Sequence, residues 1–509
     1  MALDAQGQVI VHDVGTLPGQ SASMVYGISA DASTVFGISN SPASDRGFIW
    51  RLNSGIEDIG STLDGVGSKP YDSSADGGVL VGSIYYVPYG FVPLAAMRWT
   101  PGGGVERLAS LAGVARSFAR TVSRDGQVIA GLYQYTNDGP NHTFIWTSAT
   151  GMVDFAPPAG SDYVMPQALN DDGTVLVGYS TSQQDGDRAV RWVSGTGFQE
   201  LGAFPGSSYS YARSVSRDGQ VVTGNAGFPR HAFRWTGAAG MVRLDTNPDW
   251  HESTAEWISA DGRVIVGYGR PTSTSPQQAM IWDEHHGMQT LWARLTDLGT
   301  DLADWTSLDY ALGTSEDGSA IVGWAMRGTT DWRSFAVRST PQLQSHPSTT
   351  STCWQGNAVF RVVLMDGIGT PRFRWQAIES NGSVFDLEDG AIPGTSTLAV
   401  GTGSPTLTLT SADLSSARLR FQCRITSSCG QVVSQAAELF VSTCDCTDFN
   451  ADGLFPDTAD LDDYLSVFSG GPCSNDPNCG DTDFNNDGLF PDTADIDSLL
   501  SVFSGGACL

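Results

Sequence analysis

The chain runs to 509 residues, and at about 150 residues per domain that length points to roughly three domains. Lys plus Arg number 27 against 55 Asp plus Glu, a formal net charge of -28, which repels phosphate backbones and anionic membranes, argues against nucleic acid as a partner and makes cations the natural counter-charge. No apolar run approaches the roughly 18 residues that span a bilayer, so no membrane span is expected, while 16% charged residues and 60 Gly, with abundant Ser, Thr and Val, favour short strands joined by tight turns.

At the start, Met1 to Gln6 lacks a charged segment followed by an apolar one, so the true start lies upstream, or an export signal has been omitted, or the protein stays inside. From there to about residue 340 a segment of the form S-x-D-G-x-x-x-x-G recurs seven times. The copies end at Gly37, Gly82, Gly131, Gly178, Gly224, Gly267 and Gly323, with spacings of 45, 49, 47, 46, 43 and 56 residues. Each begins with a turn such as Ser216-Arg217-Asp218-Gly219 and continues through an apolar strand such as Val221-Val222 to a Gly and a variable loop. An aromatic strand follows, ending in Trp50, Trp99, Trp146, Trp192, Trp235 or Trp282, with Val337 in the last copy. A Gly turn and a short apolar strand, as in Gly151-Met152-Val153, complete the unit.

A lone sheet of this size cannot bury both faces, so the repeats must stack, and radial closure leaves the fewest open edges. The expectation for residues 1–340 is a seven-bladed β-propeller, with an open solenoid as the alternative. The seventh copy stops at Ser334-Phe335-Ala336-Val337-Arg338 without its last strand, and Val9 to Leu17 matches the strand and turn ending Leu201-Gly202-Ala203-Phe204, so the N-terminal strand is expected to complete the last blade. The once-per-repeat Trp and Asp read as packing and turn residues. A ligand site is expected instead in non-repeated loops, at Tyr85 to Phe91 or Ser207 to Tyr211; the aromatics of the former, Tyr85, Tyr86, Tyr89 and Phe91, read first as loop packing and alternatively as a sugar-stacking surface. The pattern, with Ala232-Phe233-Arg234-Trp235 as its aromatic strand, resembles the HAF repeats of extracellular bacterial proteins, a resemblance that carries over no biochemical activity.

Residues 341–352 read as a polar linker with two prolines. Strands are then expected at Ala358 to Leu364, Arg372 to Gln376, Thr397 to Val400, Leu407 to Leu409, Leu419 to Ile425 and Gln431 to Val441, a β-sandwich over residues 353–443. With Trp375 on an early strand and Phe421-Gln422-Cys423 later, the segment resembles bacterial immunoglobulin-like domains, although Val362 and its neighbours lack the partner cysteine. The resemblance leads to the expectation that Cys353 pairs with Cys429 and that Cys423 is a buried thiol. Cys353, Cys423, Cys429, Cys444, Cys446, Cys473, Cys479 and Cys508 all lie after residue 352, and this even set read as disulfides, in preference to a zinc site, points to a secreted or cell-surface protein.

Residues 444–509 hold the most specific signal. The thirteen residues from Asp448 to Asp460 recur 35 positions later as Asp483 to Asp495 with one difference, Ala451 against Asn486. Oxygen side chains at positions 1, 3 and 5 with Gly at 6 suit a calcium loop, in which Leu454 and Leu489 offer carbonyls. The closing acid falls one position late, at Asp460 and Asp495, and the apolar residues Leu461, Leu465, Phe468, Ile496, Leu499, Leu500 and Phe503 then follow helical spacing. Loop then helix, twice, flanked by Gly470-Gly471-Pro472-Cys473 and Gly505-Gly506-Ala507-Cys508, resembles a dockerin of the kind found in planctomycete-like bacteria. The resemblance implies calcium ligation by Asp448, Asn450, Asp452, Asp457 and Asp460, and by Asp483, Asn485, Asp487, Asp492 and Asp495. It also implies a cohesin-like or cell-surface protein receptor.

The sequence contains no G-x-S-x-G elbow, P-loop, H-E-x-x-H or dinucleotide fingerprint, and His285-His286 and His251-Glu252 read as surface groups. The fold class expected is mainly β, ending in a small α-helical dockerin-like domain with EF-hand-type loops. The function expected is a non-catalytic extracellular binding or structural protein with a calcium-dependent anchoring module, the propeller holding a glycan or protein ligand. The alternative is a dockerin-tethered polysaccharide-degrading enzyme, a glycoside hydrolase or lyase, since many Asp residues permit a carboxylate pair.

Overall fold

The computed structural model describes residues 9–41, 44–60, 66–86, 93–182, 186–245, 250–442, 449, 458–472, 482–485, 487–488 and 492–503. The chain divides into two compact units, one of Met1–Thr340 with Asp366–Thr370 and Ser427–Gly430, the other of Pro341–Met365, Pro371–Thr426 and Gln431–Leu509.

Among the described residues the first unit is built from seven four-stranded antiparallel sheets, the arrangement of a β-propeller. Six are meanders of consecutive strands, as in Ser210–Val215, Val221–Ala226, His231–Thr236 and Gly240–Arg243. In the seventh, Val9–Asp13 pairs antiparallel with Asp331–Ser339, so the N-terminal strand supplies the fourth strand that the last repeat lacks. The strand Ala22–Ile28 of the first sheet packs on Ala320–Arg327 and Asp331–Ser339 of the last, which closes the series and excludes an open solenoid.

The repeated residues earn their recurrence through turn chemistry. Ser216 donates its hydroxyl to Asp218 Oδ1 at 2.6 Å and accepts from the Val221 N–H at 2.9 Å, while Asp218 Oδ1 accepts from Gln220 N–H at 3.0 Å. Gly219 follows with a φ of +70°, a conformation that an L side chain resists. In the second repeat the same bonds, from Ser74 and the Gly78 N–H, hold the Asp76 carboxyl below its ordinary range. Backbone hydrogen bonds link turn to turn around the series: Asp31 N–H to Ala75 O, Ala75 to Arg124, Asp125 to Asp171, Arg217 to Ala260, Ala260 to Glu316, and Glu316 back to Ala30.

The aromatic strand packs between sheets. Phe48, Phe144, Phe233 and Phe335 are fully buried, each stabilising the fold by roughly 1.5–3 kcal/mol, and Trp235 packs in one cluster with Val177 and Ala189 of the preceding sheet. Val337 pairs with Ile321 at the register where Trp235 pairs with Val222, as the repeat alignment expected. The long last spacing is taken up by a helix missing from the sequence reading, Leu291–Asp297, whose N-cap Thr290 accepts from the Ala293 N–H at 3.1 Å.

In the second unit one sheet contains Thr350–Thr352, Arg372–Ile378, Val384–Asp386, Arg420–Ser427 and Ala437–Val441, and another contains Ala358–Arg361, Gly390–Ala391, Leu398–Val400 and Thr406–Thr410. Trp375, Phe421 and Cys423 from the first share a core with Phe360, Leu407 and Leu409 from the second. The Phe360 ring lies 5.0 Å from Phe421 and 6.4 Å from Trp375, filling the space between the sheets without a bridge. Two readings need correction. Residues 341–352 are not a bare linker, since Leu343–Ser345 and Thr350–Thr352 pair into sheets. The expected strand Gln431 to Val441 is broken after Gly430–Val433, where Ser434 spends its hydroxyl on the Cys423 N–H and Gln435 O.

Cys423 is a free, buried thiol, as expected. Cys429 is also free and donates to Ser319 O at 3.4 Å, so the expected Cys353–Cys429 bridge is not formed; spacing alone carried no information about which way the turn at 427–430 points. Cys444, Cys446, Cys473, Cys479 and Cys508 lie outside the described residues.

Candidate functional site

The inner strand of each sheet in the first unit breaks register at the same place, one residue beyond the position paired with the repeat glycine. The residues left over by these bulges are Tyr26, Tyr71, Arg120, Gln167, Arg213, Glu256 and Leu312. All seven are half-buried, and all seven line one cavity of about 380 Å³, within the range of small-ligand sites. Each lies three residues before the Ser or Asn that opens its turn. The repeat glycine has a steric cause here: a Cβ on Gly224 would stand 3.0 Å from Ala212 Cα and closer still to Tyr211 O, because the bulge kinks that strand toward it. The scaffold therefore holds a constant backbone and presents five kinds of side chain at the seven equivalent positions, with Tyr and Arg each used twice.

The cavity has two chemically distinct sides. Tyr71, Tyr26, Trp324, Tyr310 and Tyr268 form a continuous chain of rings with centroid separations of 6.0, 6.4, 5.3 and 4.8 Å. Opposite them, consecutive sheets supply Arg120, Gln167 and Arg213, with Arg120 donating to Gln167 Oε1 at 3.1 Å. Lys69 Nζ sits 4.8 Å from the Tyr26 ring centroid and 5.4 Å from that of Tyr71, and burial together with the nearby Arg120 pushes its pKa down. Asp72 lines the same space. Burial raises its carboxyl to about 6 even though it accepts from Thr121 Oγ1 at 2.7 Å, Val122 N–H at 3.0 Å and Ser73 N–H at 2.8 Å. Burial and the neighbouring Glu256 carry the Tyr268 phenol up to about 12.

A four-membered charge ring spans the turn end. Arg124 meets Asp171 at 2.8 Å and Glu316 at 3.1 Å, and Arg217 meets the same two acids at 2.7 Å each. Glu316 belongs to the last sheet and Arg124 and Arg217 to the third and fifth, so the ring crosses the space that the sheets surround. Arg124 and Arg217 also line a narrower cavity of about 40 Å³ that shares Asp72 and Trp257 with the larger one.

Among the described residues, the loops favoured from sequence do not line this cavity. Tyr85 is buried in the strand Leu80–Tyr86, which raises its pKa, and residues 87–91 lie outside the described set. Tyr211 belongs to an inner strand and donates to Asp187 Oδ2 at 3.0 Å, leaving Tyr209, 47% exposed, as the aromatic on that loop. His286 is held by Asp283 at 2.9 Å within a hairpin turn. At Asp245 a buried carboxylate accepts from Ser253 at 3.1 Å and contacts His231 and Arg243, but Ser253 spends its oxygen on the Ala232 N–H, so this grouping ties strands together.

Of the expected calcium ligands, Asp448, Asn450, Asp452, Leu454, Asp457 and Leu489 lie outside the described residues. Asp460 and Asp495 occupy the third position of the helices Thr458–Phe468 and Thr493–Phe503, each only 1% exposed. In the second loop Asp483 accepts from the Asp487 N–H at 3.1 Å and the Gly488 N–H at 3.0 Å, Asn485 Oδ1 from the Asp487 N–H at 3.0 Å, and Asp495 from the Asn485 N–H at 3.2 Å and the Asp492 N–H at 2.8 Å. Positions 1, 3 and 13 thus share one turn, with Gly488 at a φ of +77°. Asp492 turns its Oδ1 to the Ala494 N–H at 2.7 Å, capping the helix. Phe449, Tyr464, Phe484 and Leu499 form the buried cluster, whereas Leu465 and Leu500, expected on the inner face, are 42% and 45% exposed, since the inward position one residue away is taken by Tyr464 and Leu499. Residues 444–509 hold fourteen Asp and no Lys, Arg or His, so this segment has no cationic side chain of its own to balance Asp460 and Asp495. An all-oxygen donor set of this kind suits a hard divalent cation.

No protein-family model matches the chain, and no curated protein matches it. Among solved structures it is similar to TolB from Acinetobacter baumannii, at 14% identity and a TM-score of 0.34 over 59% of this chain and 78% of that one. A structure from a study of two prolyl endopeptidases gives 11% identity and a TM-score of 0.46, over 73% of this chain and 56% of that one. Porphyromonas gingivalis dipeptidyl peptidase 4 gives 9% identity and 0.35, over 65% and 59%. This chain thus spans little more than half the length of either peptidase. No helix among the described residues is long and apolar enough to cross a membrane.

Proposed function

We propose that this chain is a non-catalytic binding and structural protein of the cell exterior, whose seven-bladed propeller holds a ligand at its axis. A sandwich of immunoglobulin-like type spaces it from a dockerin-like, calcium-binding tail that engages a cohesin-like or cell-surface receptor. The observation that carries the ligand-binding reading is the set of seven bulges, which place tyrosine, arginine, glutamine, glutamate and leucine side chains in one cavity on a scaffold otherwise repeated from sheet to sheet. A purely structural ring has no reason to vary the one position that its backbone aims inward. For the tail, the fit is the convergence of Asp483, Asn485 and Asp495 on one turn of a segment without cationic side chains. Calcium bound there would supply the missing positive charge and fix the start of the helix.

The second reading is a tethered polysaccharide-degrading enzyme, favoured by the presence of two carboxyls, Asp72 and Glu256, in the same cavity. One experiment separates the two. The full chain, in calcium, is applied to an array of glycans and proteins, and each glycan is also assayed for new reducing ends. Retention without cleavage, lost in a Tyr26→Ala, Arg213→Gln double variant, is the expected result. Cleavage abolished by Glu256→Gln would replace the binding reading with the enzymatic one.

A further inference from the structure

We infer that the axial cavity takes a six-membered ring bearing a carboxylate, the ring against the tyrosines and the carboxylate at Arg213 and Arg120. This rests on the ligand-binding reading above and narrows it to one chemical class.

Among the described residues, three cationic side chains, Lys69, Arg120 and Arg213, and two carboxyls, Asp72 and Glu256, line the cavity, in a chain whose net charge is -28. Lys69 is answered by the neighbouring Asp45, so the positive charge left to a ligand is that of Arg120 and Arg213, whose local field favours an anion that the outer surface repels. Asp72 does not answer the cations freely, because its two oxygens already accept three hydrogen bonds from Thr121, Val122 and Ser73.

Arg213 Nε is buried and has no hydrogen-bond partner among the described residues. A buried donor left unmade is costly, and a ligand that satisfies it gains that energy on binding. Arg120 is held in place by Gln167 at 3.1 Å and lies 5.5 Å from the Tyr71 ring centroid, so its guanidinium is fixed while further N–H groups remain. A carboxylate matches a guanidinium fork in a way that a neutral hydroxyl does not.

The aromatic chain runs through four sheets on the side away from Gln167, and faces of this kind hold the flat C–H surface of a sugar ring or an aromatic ring. A volume of about 380 Å³ suits one or two such rings and excludes a folded protein segment. Two sources present this chemistry, a pyranose uronate of an acidic glycan and a free aromatic acid.

The test is titration calorimetry on the full chain with galacturonate, glucuronate, galactose and benzoate, repeated on Arg213→Gln and Arg120→Gln after their thermal midpoints are matched to the parent. The expected result is binding of a uronate at least tenfold tighter than of galactose, weakened tenfold or more by Arg213→Gln, with the small galactose affinity unchanged. Benzoate bound as tightly as the uronates supports the same chemistry with an aromatic acid as the source. If Arg213→Gln does not fold, Arg120→Gln provides the same comparison. Uronate and benzoate affinities that neither variant changes would overturn the inference, as would their absence in a protein that retains a neutral glycan on the array; in that last case the binding reading survives. Failure to retain anything at all would overturn both.

Discussion

Replacing Gly224 with Ala tests the link between repeat, bulge and cavity at a single atom. The added Cβ would stand 3.0 Å from Ala212 Cα and from the Tyr211 carbonyl carbon, and nearer still to the carbonyl oxygen, where ordinary contact begins at 3.4 Å. Both neighbours are backbone, so no side chain swings away; the inner strand itself must retreat by several tenths of an ångström at the carbons and by more at the oxygen. Overpacking of this kind costs typically 1–3 kcal/mol, and with backbone on both sides we expect about 3 kcal/mol. The residue displaced is Arg213, which follows Ala212 at the bulge, so ligand affinity falls together with stability. Gly237, in the turn that joins the last two strands of the same sheet, is the control, since its φ is ordinary and nothing lies within 4 Å of its Cβ position, and Gly237→Ala should change stability by less than about 0.5 kcal/mol. Urea unfolding of the full chain, followed by circular dichroism, reads both. A Gly224→Ala midpoint equal to that of Gly237→Ala would refute the claim that the repeat glycine exists to admit the bulge.

Asp72 gives a pH signature. Its native carboxyl titrates at about 6 against an ordinary 3.8, so the native state holds the proton more tightly than the unfolded one. The stability this contributes is full below about pH 3.8 and is lost as pH rises through 6; about 2 units correspond to roughly 3 kcal/mol. Urea midpoints from pH 4 to 7 should therefore show a falling component in the parent that is missing in Asp72→Asn, and parallel profiles would contradict the assignment. Burial pushes the Cys423 thiol up to about 11, so iodoacetamide at pH 8 should leave it unlabelled in the native protein and label it after denaturation, as read by peptide mass spectrometry. In calcium calorimetry of the full chain, Asp495→Ala should remove one binding event of two and lower the thermal midpoint in calcium alone; two unchanged events would remove Asp495 from the site.

The repeat was legible because its turns are made by local chemistry. Ser216, Asp218 and Gly219 satisfy one another within six residues, so their spacing survives in the sequence, and so does the missing strand that Val9–Asp13 replaces. The cavity was not legible by the same route. Its residues vary from repeat to repeat, and a search for recurrence discards what does not recur. A signal did exist: Tyr26, Arg120, Arg213 and Glu256 are bulky or charged residues standing at one fixed offset before the turn Ser, mostly beside small or apolar neighbours. Read as a column down the repeats, that position is the one the fold leaves free to change. In the tail, one-residue helical offsets moved the inner face from Leu465 to Tyr464, because spacing of leucines alone cannot say which of two adjacent apolar residues meets Phe449 and Phe484. Cys429 was misassigned for a similar reason, since its partner group, Ser319 O, is remote in sequence.

The most direct test of the account is a crystal structure of the full chain grown with whichever ligand the array retains. The account predicts difference density at the axis, in contact with Tyr26 on one side and Arg213 on the other. Density seated on the outer loops around Tyr209, with no ligand at the seven bulge residues, would contradict it.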